Sequence, residues 1–360
     1  MRFNAQAAEF AKALGALQGI AGGRTTMPIL SHVRLVAENG SLSATATDLE
    51  VTLTVSFGAE VAEQGVVCLP ARLLHDIIRD LSGTVSVVSD GSWVVISAGG
   101  FSSKIAGLPI EDFPTVENVS TTLSPIPSSL LDSMLAKTIY AASTDELRRN
   151  LTGIYFEKTP TGLVCVATDG HRLSLVEEDV EVPWKINFIV PRKGALEMRK
   201  LLREHDACQI GVTKSELIVC ALGATLRVRL VDATFPDYKQ VLPKVARHSF
   251  VVDKDALALA LRRVARLASE RTRSIKLSLD GGTLTLSATS PEFGEANERV
   301  ELTSHEGAIE IGFNSKYLMD ALDAIESERV YFGFVDEMSP AVIKPEGANR
   351  FLAVIMPMRL

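Results

Sequence analysis

One short run of the chain is dense in groups that can move or hold charge: Thr168-Asp169-Gly170-His171-Arg172. Aspartate beside histidine is a pairing that acid and base chemistry uses, and a neighbouring arginine suits an anion. The same residues also read as a turn, because Asp169-Gly170 is a turn dipeptide following the alternating stretch Leu163 to Ala167. Asp48-Leu49-Glu50 and Ser290-Pro291-Glu292 hold matching places elsewhere in the chain and lack the histidine and arginine. The central copy is therefore specialised, and binding, a structural turn and catalysis through Asp169 and His171 are all compatible with its letters.

Other enzyme signatures are missing. There is no phosphate loop of the G-x-x-x-x-G-K-[ST] type, no G-x-G-x-x-G opening a helix, no H-E-x-x-H and no G-x-S-x-G. The four cysteines, Cys68, Cys165, Cys208 and Cys220, form no C-x-x-C pair, so neither a metal site nor a disulfide framework is expected. No cofactor is expected either. The C-terminal run Ala353-Val-Ile-Met-Pro-Met-Arg-Leu360 is almost wholly apolar. Val354 and Ile355 suit a last strand that completes a third sheet. Pro357 cannot continue a central ladder, and Met356 and Met358 are adaptable contact residues, so a partner groove is the alternative.

These segments must be positioned by something, and the chain repeats three times. Gly40 to Asp48, Gly162 to Asp169 and Gly282 to Ser290 each run from glycine through alternating apolar residues to Ala-Thr-Asp or Ala-Thr-Ser. Ala46, Ala167 and Ala288 are spaced by 121 residues each time. The helical patterns opening at Pro70, Pro191 and Asn314 lie 121 and 123 residues apart, and Phe113-Pro114 and Phe235-Pro236 lie 122 apart. Each unit also starts with a helical pattern, at Ala5 to Ile20, Ser128 to Ala142 and Lys254 to Ala268. Between the helices the period is two, as in Val94-Val-Ile-Ser and Ala224-Thr-Leu-Arg-Val-Arg-Leu. The reading is an α+β fold of three tandem similar domains, with antiparallel sheets and two helices per domain, at 1–120, 121–246 and 247–360.

Composition narrows the class. With 46% hydrophobic and 22% charged residues in 360, the chain can build sizeable cores, which excludes disordered and fibrous classes. The stretch from Met1 to Gly22 is broken by Glu9, Lys12 and Gln18 and reads as an amphipathic helix, not a signal peptide. No apolar run is long enough to span a membrane, so no membrane partner is expected and a cytoplasmic location is. The net charge of −7 gives no global basic signature. The six helical segments nevertheless carry +4, which leaves −11 on the rest. The cations cluster at Arg192, Lys193, Arg199, Lys200 and Arg203, and at Arg262, Arg263, Arg266, Arg271 and Arg273, without interleaved aromatics. They suit phosphates, read without regard to sequence, or a solvated face.

Five segments carry a resemblance: Gly22-Gly-Arg-Thr-Thr-Met-Pro-Ile-Leu30, Ala167-Thr-Asp-Gly-His-Arg-Leu173, Ile189-Val-Pro-Arg-Lys-Gly194, Phe235-Pro-Asp-Tyr238 and Met356-Pro-Met-Arg-Leu360. In this order and over the whole length they resemble the bacterial sliding clamps, the beta-subunit family of DNA polymerase III. The resemblance implies the DNA clamp fold, with sheets outside, helices inside, and two chains joined head to tail into a homodimer ring around duplex DNA. It implies a non-catalytic processivity factor for DNA replication, which tethers the replicative polymerase. A specialised clamp paralogue with the same fold is the alternative.

The same resemblance implies a groove taking a short peptide motif of the polymerase and the clamp loader. Its positions here are Arg148, Thr168, Gly170, His171, Arg172, Leu173, Pro236, Val241, Asn314, Tyr317, Val354, Met356, Pro357, Met358, Arg359 and Leu360. DNA contacts are implied at Arg24, Arg72, Arg149, Arg192 and Lys193. A dimer seam is implied at Ile77, Leu81, Ser103, Lys104, Arg266, Leu267, Glu295 and Glu298, with Lys104 facing Glu295 or Glu298. Ser103 and Arg266 depart from the family there, where large apolar and aliphatic residues are usual.

Overall fold

The computed structural model describes residues 1–23, 26–115, 121–242 and 246–359. Six α-helices appear among them: α1 (Ala7–Ala21), α2 (Ala71–Arg79), α3 (Ser128–Ile139), α4 (Arg192–Arg203), α5 (Lys254–Val264) and α6 (Ser315–Asp323). These are the six that apolar spacing predicts, mostly with shorter ends, although α1 starts two residues later than Ala5 and runs one past Ile20. The third stops at Ile139 instead of running to Ala142, where Thr138 Oγ1 bonds back to Met134 O at 2.8 Å and Ala141 N closes a tighter turn on Thr138 O. The fifth tightens into a single 3₁₀ turn at Ala265–Leu267. Short strands precede the first helix of each repeat, at Arg2–Gln6, Ser124–Pro127 and His248–Asp253. Four to six residues are too few for their alternation to stand out against the helical pattern that follows.

The chain gathers into two compact units. One comprises Met1–Leu131 and Leu196–Leu230. It holds a five-stranded sheet in the order Glu60–Glu63, Arg2–Gln6, Thr84–Asp90, Trp93–Ala98, Phe101–Ala106. Its eight-stranded sheet runs Ser124–Pro127, Ala207–Val212, Glu216–Ala221, Ala224–Arg229, Val51–Gly58, Ser41–Thr47, His32–Glu38, Gly65–Pro70. Helix α1 packs on α2 and on the strands Ser41–Thr47 and Val51–Gly58. Phe10, Leu14, Leu17 and Ile20 make its fully buried stripe, at the spacing one helix face demands. Phe10 meets Phe3 edge-on at 6.2 Å and Phe57 at 5.7 Å.

The other unit comprises Asp132–Ala195 and Val231–Leu360. Its nine-stranded sheet runs Phe188–Pro191, Gly153–Lys158, Leu163–Thr168, Arg172–Glu178, Phe351–Ile355, Ala341–Pro345, Arg329–Phe334, His248–Asp253, Ser304–Glu306. A four-stranded sheet follows: Gly294–Glu301, Thr283–Ser290, Ser274–Asp280, Ile309–Asn314. Every pairing described is antiparallel. Phe351–Ile355 is a central strand, as Val354 and Ile355 suggest. It does not complete a sheet of the third repeat alone; it pairs on one side with Arg172–Glu178 of the second, Leu173 opposite Val354. Among the described residues no helix is long and apolar enough to cross a membrane.

Replacing Phe10, which has no exposed surface, with alanine leaves a cavity among Phe3, Phe57 and Leu14. Phe10→Ala is expected to cost about 3 to 5 kcal/mol of the unfolding free energy of its unit in a denaturant titration. A loss below about 1 kcal/mol would mean that this stripe does not hold α1 in place.

Candidate functional site

The polar run at 168–172 forms a tight turn between two paired strands. Asp169 Oδ1 accepts from His171 N at 2.9 Å and from Arg172 N at 3.0 Å. Thr168 Oγ1 accepts from Gly170 N at 3.1 Å and donates to Arg172 O at 2.6 Å. Gly170 has φ +89°, a conformation that favours glycine, and a Cβ there would meet Arg148 Nη1 at 3.3 Å. The aspartate that acid–base chemistry would need is thus committed to holding backbone.

Arg172 is the buried centre of the turn. Its Nε donates to Asp169 Oδ2 at 3.0 Å, Nη1 to Asp320 Oδ2 at 2.5 Å and Nη2 to Tyr140 O at 2.6 Å. Its guanidinium lies 4.5 Å from the Tyr317 ring centre and 5.4 Å from that of Tyr140. Only 10% of the side chain is exposed, so these partners stand in for water. Asp320 and Tyr140 were not legible as partners: they lie 148 and 32 residues from Arg172. Burial pushes the hydroxyls of both Tyr140 and Tyr317 above the ordinary tyrosine range.

Beside the turn is a cavity of about 170 Å³ lined by Leu151, Thr168, Gly170, Arg172, Leu173, Pro236, Asp237, Tyr238, Val241, Val354 and Met356. Leu173, Phe235, Tyr238 and Val354 belong to one buried apolar cluster, which gives the cavity a rigid floor. Val241 and Met356 are 45% and 41% exposed and form its rim. Phe235 stacks on Tyr155 at 4.7 Å. Tyr238 donates its hydroxyl to Glu157 Oε2 at 2.6 Å, and Lys239 Nζ donates to Glu157 Oε1 at 2.7 Å. Burial, and then Glu157, push the Tyr238 hydroxyl up, while the Glu157 hydrogen bond raises the Lys239 ammonium.

Eight of the expected groove positions meet at this cavity: Thr168, Gly170, Arg172, Leu173, Pro236, Val241, Val354 and Met356. Leu151, Asp237 and Tyr238 join them, each within three residues of a named position or motif. Arg148 braces the turn from outside, with Nη1 donating to Asp169 O at 3.3 Å. His171 contributes its carbonyl, which accepts from Met356 N at 2.9 Å. Asn314 caps α6 by accepting from Lys316 N at 2.9 Å, and Tyr317 stacks on Arg172. Met358 N bonds Gly312 O at 2.8 Å, while Pro357 and Arg359 flank it outside the cavity lining. Leu360 lies outside the described residues.

Arg72, Arg149 and Arg192 are exposed. Arg192 opens α4, its backbone N bonding Thr152 O, and Thr152 Oγ1 in turn donates to Arg149 O at 2.9 Å. Lys193 follows, half-buried, also in the first turn of α4. Cations in a first turn oppose the helix dipole at about 0.3 to 1 kcal/mol each, so helix stability does not explain them. Arg24 lies outside the described residues. In the basic cluster of α5, Arg262 and Arg263 are paired with Asp323 at 3.8 Å and Glu298 at 2.8 Å.

Ser103 and Lys104 lie on Phe101–Ala106, an edge strand of the five-stranded sheet; Ile77 is on α2 and Leu81 just beyond it. The Ser103 hydroxyl is buried without a hydrogen-bond partner, and Lys104 Nζ sits 5.1 Å from the Trp93 ring centre. Glu295 and Glu298 lie on Gly294–Glu301, an edge of the four-stranded sheet, and Glu298 already receives Arg263. Arg266 and Leu267 form the 3₁₀ turn after α5. Among the described residues no group of three or more His, Cys, Asp or Glu side chains is placed to hold a metal ion.

Three family models cover nearly the whole chain: the N-terminal domain of the DNA polymerase III beta subunit at residues 1–117, its central domain at 125–237 and its C-terminal domain at 239–359. The beta sliding clamp of Pseudomonas aeruginosa is 37% identical over the full length of both chains. A crystal structure of the P. aeruginosa sliding clamp bound to griselimycin matches with a TM-score of 0.95 at 36% identity, covering all of both chains. The griselimycin-bound clamp of Bartonella birtlesii matches at 0.96 and 33%, again over both whole chains.

The tyrosines fix one pH dependence. A hydroxyl whose folded value lies above its unfolded one stabilises the fold fully below the unfolded value, and that contribution is lost as pH rises through the folded value. Stability held by Tyr140, Tyr238 and Tyr317 should therefore persist to about pH 10 and decline above it. In an ultraviolet titration the folded chain should show fewer tyrosinates at about pH 11 than the urea-unfolded chain. Equal ionisation in both would contradict the burial described.

Proposed function

The chain belongs to the DNA polymerase III beta-subunit family, the bacterial sliding clamps, and on that footing we propose that two copies close head to tail around duplex DNA and hold the replicative polymerase there. The carrying observation is the full-length match to all three beta-subunit domains in order. The chain is a DNA sliding clamp, an accessory subunit and not a catalyst. A closed ring cannot leave DNA sideways, so a tethered polymerase stays at high local concentration near the primer end. Contacts with DNA need only be weak and blind to sequence, because strong ones would impede sliding.

Within that function we assign the parts as follows. The three repeats at 1–120, 121–246 and 247–360 are the clamp domains, working in the cytoplasm without a cofactor. Arg24, Arg72, Arg149, Arg192 and Lys193 face the phosphates. The cavity beside the Thr168–Arg172 turn takes the short peptide of the polymerase or clamp loader, and of this chain's surfaces it is the one we propose for griselimycin. An apolar floor with a methionine and a valine at the rim supports this, since such walls adapt to several related side chains. The edge strands Phe101–Ala106 and Gly294–Glu301 supply the seam.

Topological tethering is tested on DNA of two forms. The loaded chain should stay on a circular duplex and be lost when that duplex is cut once; equal retention on both would overturn the ring. Deleting Met356 to Leu360 should abolish griselimycin binding while the mass in solution stays that of a dimer. Unchanged affinity would remove the groove assignment. His171→Ala should create or destroy no turnover, whereas an enzyme using Asp169 and His171 would lose its activity.

A further inference from the structure

Arg172 is held more firmly than its turn requires. In the first repeat the same backbone bonds form with a valine at the matching place: Thr47 Oγ1 accepts from Leu49 N at 3.1 Å, and Asp48 Oδ1 accepts from Glu50 N and Val51 N at 3.0 and 2.7 Å. The central turn repeats each of these bonds through Thr168 and Asp169. Arginine stands where the first repeat has Val51. Making the turn is therefore not what the arginine is for.

What it adds is a tie to α6. Asp320 Oδ2 receives Arg172 Nη1 and Lys316 Nζ, each at 2.5 Å, and Tyr317 from the same helix stacks on the guanidinium. At the other end of the tie, Thr168, Gly170 and Arg172 wall the cavity, and His171 O receives Met356 N. Without Asp320 the buried guanidinium would lose its one carboxylate from outside the turn, and the turn would have to shift to let water in.

We propose that Asp320 is a positioning residue of the groove: through the Arg172 guanidinium it fixes the Thr168–Arg172 turn, and with it the spacing between Gly170, Leu173 and Met356 into which an apolar anchor of the bound partner fits. The inference rests on the groove assignment above. It makes affinity for the partner depend on a side chain that lines no part of the cavity.

The test uses the full chain and griselimycin, with dissociation constants measured by calorimetry. Asp320→Asn should weaken binding about tenfold, and Asp320→Glu, which keeps a carboxylate, by no more than about threefold. Arg172→Lys should cost about the same as Asp320→Asn, and the double variant no more than either alone, because both break one tie. Affinity of Asp320→Asn within about twofold of the parent would overturn the proposal, as would a fully additive double variant. Should Asp320→Asn fail to fold, a loss of more than about tenfold in the folded Asp320→Glu chain would overturn it as well. Val241→Asp, at the exposed rim, separates the two readings. If it abolishes binding while Asp320→Asn does not, the positioning role alone falls; if it changes nothing, the groove assignment falls and the positioning role with it.

Discussion

Each strand carries a row of backbone donors and acceptors on both sides, and a buried row must be met by another strand. The strand Arg172–Glu178 would end the central repeat with such a row. Phe351–Ile355 pairs with it instead, from Arg172 opposite Ile355 to Val176 opposite Phe351. In the same way Ala224–Arg229 pairs with Val51–Gly58, with Leu226 opposite Leu53. These two ladders turn three repeats into continuous sheets. The first of them also determines where the site forms, because the chain leaves that ladder at Met356, beside the turn that begins at Thr168. The register places Val354 next to Leu173 on the cavity floor and so brings the C-terminal segment there.

Charge then decides how the site is held. A guanidinium in a nearly closed space is tolerable only when its donors are met, and Arg172 meets Asp169, Asp320, the Tyr140 carbonyl and two aromatic rings. A second polar set, Tyr238 and Lys239 on Glu157, secures the opposite wall of the cavity. Arg172 and Tyr238 each line the cavity, while their carboxylate partners Asp320 and Glu157 stand outside the lining, so the walls are fixed by hydrogen bonds made away from the cavity.

Much of this was legible in the letters, because repetition leaves marks that spacing reveals. The 121-residue period predicted six helices, and all six form, since each depends on a local apolar stripe and local end signals. The Asp169-Gly170 turn was legible for the same reason. The short strands before α1, α3 and α5 were not, as a few alternating residues merge into the helix that follows. Nor was the destination of Phe351–Ile355, because pairing partners far apart in sequence leave no trace in a single chain. Asp320 belongs to this class: an aspartate on an amphipathic helix looks like a solvated face until the fold brings Arg172 to it.

The saturation of Arg172 bears on ligand design. An inhibitor given an acidic group to reach the arginine at the end of the cavity would find its guanidinium engaged by two carboxylates and a carbonyl, and would have to displace one of them to gain a contact. The better electrostatic handle is Arg148, outside the cavity lining, whose side chain is 53% exposed and meets Asp145 at 3.6 Å and a backbone carbonyl, Asp169 O, at 3.3 Å. Potency inside the cavity should instead come from filling its apolar volume, with any acid carried on the part of the molecule that stays outside.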